Sequence, residues 1–481
     1  MKVTKYLLVG ALMIGFSAPV MAQENQSQIE AITKIIKNKP ADLEDQIKAV
    51  YKKNKKKADV MVGMGQAFLE INDTANARVY AEYALKADRK YAPAYILLGD
   101  IEVVNEDGGK AATQYNQAIY FDPKNPEAYY KYASVYRKIS PDGAIQKLEE
   151  LRTQRPDIAV DAQIGHLYYS ANEFDNAINS FAKANASDLS DRDLTEYAMA
   201  LYFTQKYQKS IDIVKQGLSK APRDAAYNRL ALFNYTELKD FDNALAYANK
   251  LFNESDDPKF SYLDYVYYGN ALNGAKQGAK AIEMYKKALE QDIDNKDKRA
   301  GVYKQMSDAY EQLSDYENAI SSYQEYLNNL SKSSVSEMAD LGKLYIQYAS
   351  DTTKVSDNAQ KIEILKKAEG VYAEMEKNPD ATEYAIFWRA RVNTMMDPES
   401  DQALAKPYYE KLMQTIEAKA EKDKADIARV IECYRYMAAL SWLKEDNEEA
   451  AYNYYTKILT LSPEDPQAKQ ASEVLAKRLK K

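Results

Sequence analysis

The chain has 481 residues, 65 Lys and Arg against 72 Asp and Glu, a formal net charge of −7, one histidine and one cysteine. A mild acidic excess disfavours nucleic acid as the main partner. A lone cysteine forbids an intramolecular disulfide, and a lone histidine removes most zinc sites and Ser-His triads, which need it in company.

Lys2 and Lys5 precede an apolar run, Tyr6 to Phe16, and small residues follow with Val20 and Ala22 at the two slots a signal peptidase reads. Residues 1–22 are therefore predicted to be a signal peptide cleaved before Gln23. The run is about half the ~20 residues a bilayer span needs, and no cysteine stands at the cleavage point to carry a lipid. The mature chain is expected to be exported, periplasmic in a Gram-negative envelope, and not inserted in a membrane. Sixteen glycines and 14 prolines are few for this length, while charged residues, Ala, Leu and Tyr abound, which favours helix throughout. So long a chain exceeds one compact core and points to several domains or a repeat array.

Residues 23–57 read as a degenerate leading helix pair, IEAITKIIKNKP and then LEDQIKAVYKKN. Over 58–330 a unit recurs. An alanine opens a helix, a ring or aliphatic group stands four residues on, and a third packing residue stands three beyond that. The sets are Ala77/Ala81/Ala84, Ala111/Tyr115/Ala118, Ala144/Leu148/Leu151, Ala177/Phe181/Ala184 and Ser210/Val214/Gly217, then Ala244/Ala248/Leu251, Ala281/Tyr285/Ala288 and Ala319/Tyr323/Tyr326. Their leading residues are 34, 33, 33, 33, 34, 37 and 38 apart. About a dozen residues before most of them stands a large-small pair, as in Leu98-Gly99, Tyr132-Ala133, Ile164-Gly165, Tyr197-Ala198 and Tyr268-Gly269. Spacings of three, four and seven put these residues on one helical face. The small residue lets the first helix of a pair press on the second. From 331 to 463 the pairs become irregular, and 464–481 reads as a polar-faced capping helix, which a solenoid end requires for solubility.

This pattern resembles the tetratricopeptide-repeat (TPR) family, whose 34-residue units are antiparallel helix pairs. The resemblance implies an all-α fold, an α-solenoid of helix-turn-helix pairs forming a right-handed superhelix. Tyr95, Tyr129, Leu194, Tyr265 or Tyr303 replaces the family's usual early tryptophan. The leader and the tyrosine-rich repeats together are similar to periplasmic TPR proteins of the Bacteroidetes type. Family members that clamp a C-terminal carboxylate use Lys and Asn on adjacent first helices. The matching slots hold Val62 and Gln66, Ile96 and Asp100, Tyr130 and Ser134, so that clamp is not expected.

In such an array the concave face comes mainly from first helices. The slots three before and one, four and five after each small residue place Tyr130, Arg137, His166, Tyr169, Met199, Tyr202 and Phe203 on that face in three successive units. An aromatic stripe rimmed by charge is what a groove for a protein or peptide partner needs; superhelical curvature that buries the rings on one another is the competing reading. The register of 223–253 admits two alignments, so Phe233 and Tyr235 are not assigned. Glycan recognition by the inner tyrosines is the alternative function, and an enzyme with a scattered carboxylate site a further one; no catalytic residue, cofactor or metal ligand is assigned. Gly108-Gly109-Lys110 has the look of a phosphate loop, but Val104 stands where an earlier glycine is needed and Ala111 where Ser or Thr is needed. It is expected to be the turn between two helices, with Ala111 as the packing alanine. The mature chain should begin at Gln23, which the intact mass of protein from the envelope fraction checks; a mass that keeps residues 1–22 contradicts the leader.

Overall fold

A computed structural model describes residues 20–185 and 187–479; the apolar leader Tyr6 to Phe16 lies outside them, and Val20 to Ala22 open the first helix. Among the described residues every regular element is helical. No helix is long and apolar enough to cross a membrane. The chain divides into two compact units, one ending at Leu238 and the other beginning at Lys239.

The first unit holds α1 (Val20–Asn38), α2 (Leu43–Asn54), α3 (Ala58–Glu70), α4 (Thr74–Ala87), α5 (Ala92–Val104), α6 (Gly108–Phe121) and α7 (Pro126–Tyr136). It continues with α8 (Pro141–Gln154), α9 (Asp161–Ser170), α10 (Phe174–Phe181), α11 (Asp191–Phe203), α12 (Tyr207–Lys220) and α13 (Ala225–Glu237). From α3 on, odd helices are first helices and even ones second helices, each packed on its chain neighbours. The leading segment departs from that rule. Ile32 and Ile36 of α1 are buried, and Ile29 fills the space beside Gly63, so α1 packs directly on α3 while α2 touches both lightly. Asn25 fastens α1 further, donating to Asp59 at 2.7 Å and accepting from Lys57 at 2.8 Å.

The second unit holds α14 (Phe241–Asn249), extended by a π-helical turn Lys250–Glu254, then α15 (Tyr262–Gly274), α16 (Gly278–Leu289), α17 (Lys296–Gln312) and α18 (Tyr316–Asn329). Beyond them come α19 (Val335–Ser350), α20 (Asn358–Met375), α21 (Thr382–Met396), α22 (Lys406–Glu417), α23 (Lys424–Leu443), α24 (Glu448–Leu461) and α25 (Pro466–Arg478). In α25 only Ala468, Ala471 and Leu475 are buried. Cys433 is buried in α23, and burial, then nearby Glu432, pushes its thiol up to about 12, the condition of an inert packing residue.

In several pairs the small residue of the first helix receives a side chain of the second, while Gly65 receives Leu97 of the next first helix. A Cβ added to Gly99 would lie 2.3 Å from Tyr115, one on Gly165 2.8 Å from Phe181, one on Gly269 2.5 Å from Tyr285 and one on Gly342 2.5 Å from Tyr372. Where the second helix carries Leu148 or Val214 instead of a ring, the equivalent first-helix residue is Ala133 or Ala198. The Tyr115 hydroxyl donates to Asp100, at 2.7 Å, and that of Tyr285 to Asn270, at 2.8 Å, in both cases the residue after the glycine. The alanines that open the second helices are fully buried; Ser210 replaces one of them and satisfies its hydroxyl by donating to the Ala198 carbonyl at 2.8 Å.

Several turns within pairs share one backbone solution. The residue after the first helix's C-cap is left-handed, as at Asn72, Glu106, Asn172, Gln205, Lys276 and Ser314, with φ between 53° and 62°. The next amide reaches back to the helix, as Asp107 N–H does to the Glu102 carbonyl at 2.9 Å, closing a Schellman motif. That same residue then caps the second helix: the Asp107 carboxylate accepts from the Lys110 amide at 2.9 Å. This corrects the expectation for Gly108-Gly109. The turn is Asn105–Asp107, with non-glycine Glu106 in the left-handed position, while Gly108 and Gly109 are the first two residues of α6. Asp at the cap, with its own side chain as acceptor, supplies the bond that makes a glycine unnecessary there.

Gly99→Ala should destabilise the first unit by about 2 kcal/mol through overpacking. The double variant Gly99→Ala/Tyr115→Leu, which copies the Ala133/Leu148 combination, should recover part of that loss. Urea denaturation of the four-member cycle measures the coupling; strictly additive losses contradict the contact.

Candidate functional site

The first-helix slots singled out in the sequence converge on two neighbouring features of the first unit. On α9, His166 and Tyr169 stand one turn apart; on α11, Glu196, Met199, Tyr202 and Phe203 follow at spacings that share a face. A polar relay crosses the three first helices. Arg137, the C-cap of α7, brings Nη1 to 2.6 Å from His166 Nε2, and His166 Nδ1 lies 2.8 Å from the Glu196 carboxylate. A guanidinium only donates, so Nε2 is the acceptor, and the imidazole is the neutral tautomer whose Nδ1–H donates to Glu196. Arg192 Nε donates to the same carboxylate at 3.1 Å. One relay therefore ties three successive first helices.

Toward the turn end the face becomes aromatic. Phe174 and Phe203 have ring centroids 4.9 Å apart, Tyr169 and Phe174 5.8 Å, Tyr202 and Phe203 5.8 Å, and Tyr202 and Tyr207 5.6 Å. The Tyr169 hydroxyl reaches Met199 Sδ at 3.4 Å, and burial raises its pKa, with nearby Glu196 acting the same way. Phe233 of α13 adds a ring 6.3 Å from Tyr202. Most of these rings are half-buried against one another; Phe203 is 49% exposed.

Of the seven residues read from the sequence, Arg137 and His166 thus join the relay, and Tyr169, Met199, Tyr202 and Phe203 join the ribbon. Tyr130 stands apart, half-buried against the core of α5 to α9, its hydroxyl pushed up by burial with Arg155 acting the opposite way. Glu196, Phe174 and Tyr207 were not among the seven. Phe174 and Tyr207 each stand three residues before a second helix's packing residue, Ala177 and Ser210, so the repeat alignment contains the signal that locates them. Among the described residues no three His, Cys, Asp or Glu side chains converge as metal ligands would.

Residues 62–126 and 300–328 each match a family model described as a tetratricopeptide repeat. Both stretches are therefore tetratricopeptide repeats. No curated protein matches it. Similar solved structures include the C-terminal part of a TPR repeat-containing protein from Cytophaga hutchinsonii, with 22% identity, covering 58% of this chain and 98% of that one, at a TM-score of 0.45. A tetratricopeptide repeat protein from Parabacteroides merdae shows 19% identity, 52% and 98% coverage and a TM-score of 0.35. YrrB, described as a TPR protein with an unusual peptide-binding site, shows 18% identity, 37% and 94% coverage and a TM-score of 0.31.

The Phe203 slot, five residues after the small residue, can be compared repeat by repeat. It holds Glu70, Val104, Lys138, Ser170, Gly274 and Gln312 elsewhere. In the repeat with Gly274, Phe241 from the preceding second helix fills the vacated space, since a Cβ there would stand 2.2 Å from its ring. Phe174 is the corresponding second-helix residue beside Phe203. With a ring already in the slot, the two aromatics stack and Phe203 is left half in solvent.

Proposed function

We propose that this tetratricopeptide-repeat chain is a non-catalytic adaptor of the bacterial cell envelope, holding a protein or peptide partner against the first-helix face that carries Tyr169, Met199, Tyr202 and Phe203. TPR repeats commonly bind proteins or peptides, and the N-terminal leader supports the compartment. The observation that carries the reading is Phe203. Repeat packing does not require a ring in that slot, because sibling repeats fill it with valine or with polar or small residues, and here the ring stays 49% exposed.

An exposed phenylalanine in a bed of half-buried rings has the makings of a hot spot. Its neighbours are held by helix packing, so little side-chain entropy is lost when a partner covers it. The Arg137–His166–Glu196 relay adds rigidity by linking the three first helices beneath the partner. Phenylalanine offers no hydroxyl to a sugar, which favours an apolar side chain of a protein over a glycan.

A photo-crosslinking phenylalanine analogue at position 203, in cells, should form a covalent adduct with a protein, while the same probe at exposed Tyr120 should not. The captured protein, once purified, should bind the Phe203→Ser chain at least about tenfold more weakly than the native chain by calorimetry. Adducts to glycan alone, or a loss in affinity below about twofold, contradict the proposal.

A further inference from the structure

We infer that the partner presents an acidic side chain, Asp or Glu, to Arg137 and an apolar or aromatic side chain to the Phe203 ribbon. This rests on the protein-binding reading and specifies its chemistry.

The argument begins with an imbalance. Several half-buried guanidiniums of this fold are matched to carboxylates: Arg152 to Asp161 at 2.8 Å, Arg389 to Glu369 and Glu376 at 2.5 and 2.6 Å, Arg391 to Glu432 at 2.6 Å. Arg137 is different. Its side-chain bond is to the neutral imidazole of His166, and among the described residues no carboxylate pairs with it. The nearest acid in the relay, Glu196, is committed to His166 and Arg192. A partly buried cation facing a neutral acceptor keeps N–H donors for another group, and a carboxylate, able to accept two parallel bonds, is the group that fits a guanidinium best.

Position supplies the second half. Arg137 stands four residues after Ala133, not at Tyr130 or Ser134, the slots a carboxylate clamp would use. No ring of donors closes around it as a free chain end requires, so an internal acidic side chain is the source that suits it.

The test is selection of random dodecapeptides, displayed with both ends blocked by flanking sequence, on the full mature chain and on its Arg137→Gln, Arg137→Lys and Phe203→Ser variants, each checked for native helicity. Peptides enriched on the native chain should share an Asp or Glu together with an aromatic or aliphatic residue. Selection on Arg137→Gln should keep the apolar preference and lose the acidic one, and Arg137→Lys should retain part of it. A synthetic consensus peptide whose acid is changed to the amide should bind the native chain about tenfold more weakly and Arg137→Gln by less than about twofold. An apolar consensus without an acid, or an acidic preference unchanged on Arg137→Gln, overturns the inference and leaves the binding reading standing. No enrichment at all, or enrichment unaffected by Phe203→Ser, overturns both.

Discussion

The close approach of two helices across one small residue is the constraint from which the rest follows. A ring on the second helix enters where the first helix is small, with no Cβ at Gly99, Gly165, Gly269 and Gly342 opposite Tyr115, Phe181, Tyr285 and Tyr372. When the second helix brings a smaller group, the first helix regains a methyl, as at Ala133 and Ala198. The contact conserves volume, from the partner helix or, beside Gly65, from Leu97 of the next first helix, and interiors packed like crystals penalise any departure from it. Ser307 opposite Tyr323 keeps the same economy of space and ties its hydroxyl to the Ala319 carbonyl at 2.8 Å.

That constraint sorts the aromatic side chains. Tyr115, Tyr129, Tyr285 and Tyr372 are buried because the repeat needs their volume, and burial drives all four hydroxyls upward in pKa. What remains on the first-helix face is free to vary between repeats without loosening the pair. The repeats around 133–207 use that freedom for an arginine, the only histidine and a run of rings. Elsewhere the same slots carry Lys304, Asp308 and Glu311 or Asn270 and Asn273. One stretch of an otherwise uniform array is thereby distinguished by chemistry alone.

Helix type, period and the packing residues were legible in the sequence because each pair repeats one steric solution, so eight aligned units reinforce a signal that is weak in any one. The turns were less legible. Gly108-Gly109 attracts attention as turn residues, yet the bend uses Glu106, whose left-handed backbone is held by the Schellman bond from Asp107 and by that residue's capping carboxylate. The face itself was readable as a stripe, but its grouping was not. Phe174 enters from a second helix, and the Arg137–His166–Glu196 relay joins side chains 29 and 30 residues apart whose meeting depends on rotamers that no spacing rule specifies. The ambiguous register at 223–253 likewise hid Phe233, which the structure places beside Tyr202.

If repeat packing decides which tyrosines are core, chemical reactivity should follow the slots and not the local sequence. Tyrosine nitration of the native chain, read by peptide mass spectrometry, tests this most directly. Tyr115, Tyr129, Tyr285 and Tyr372 should resist modification until the chain is unfolded, while Tyr120, 74% exposed on the same helix as Tyr115, should react at once. Equal reactivity of Tyr115 and Tyr120 in the folded protein would contradict the account.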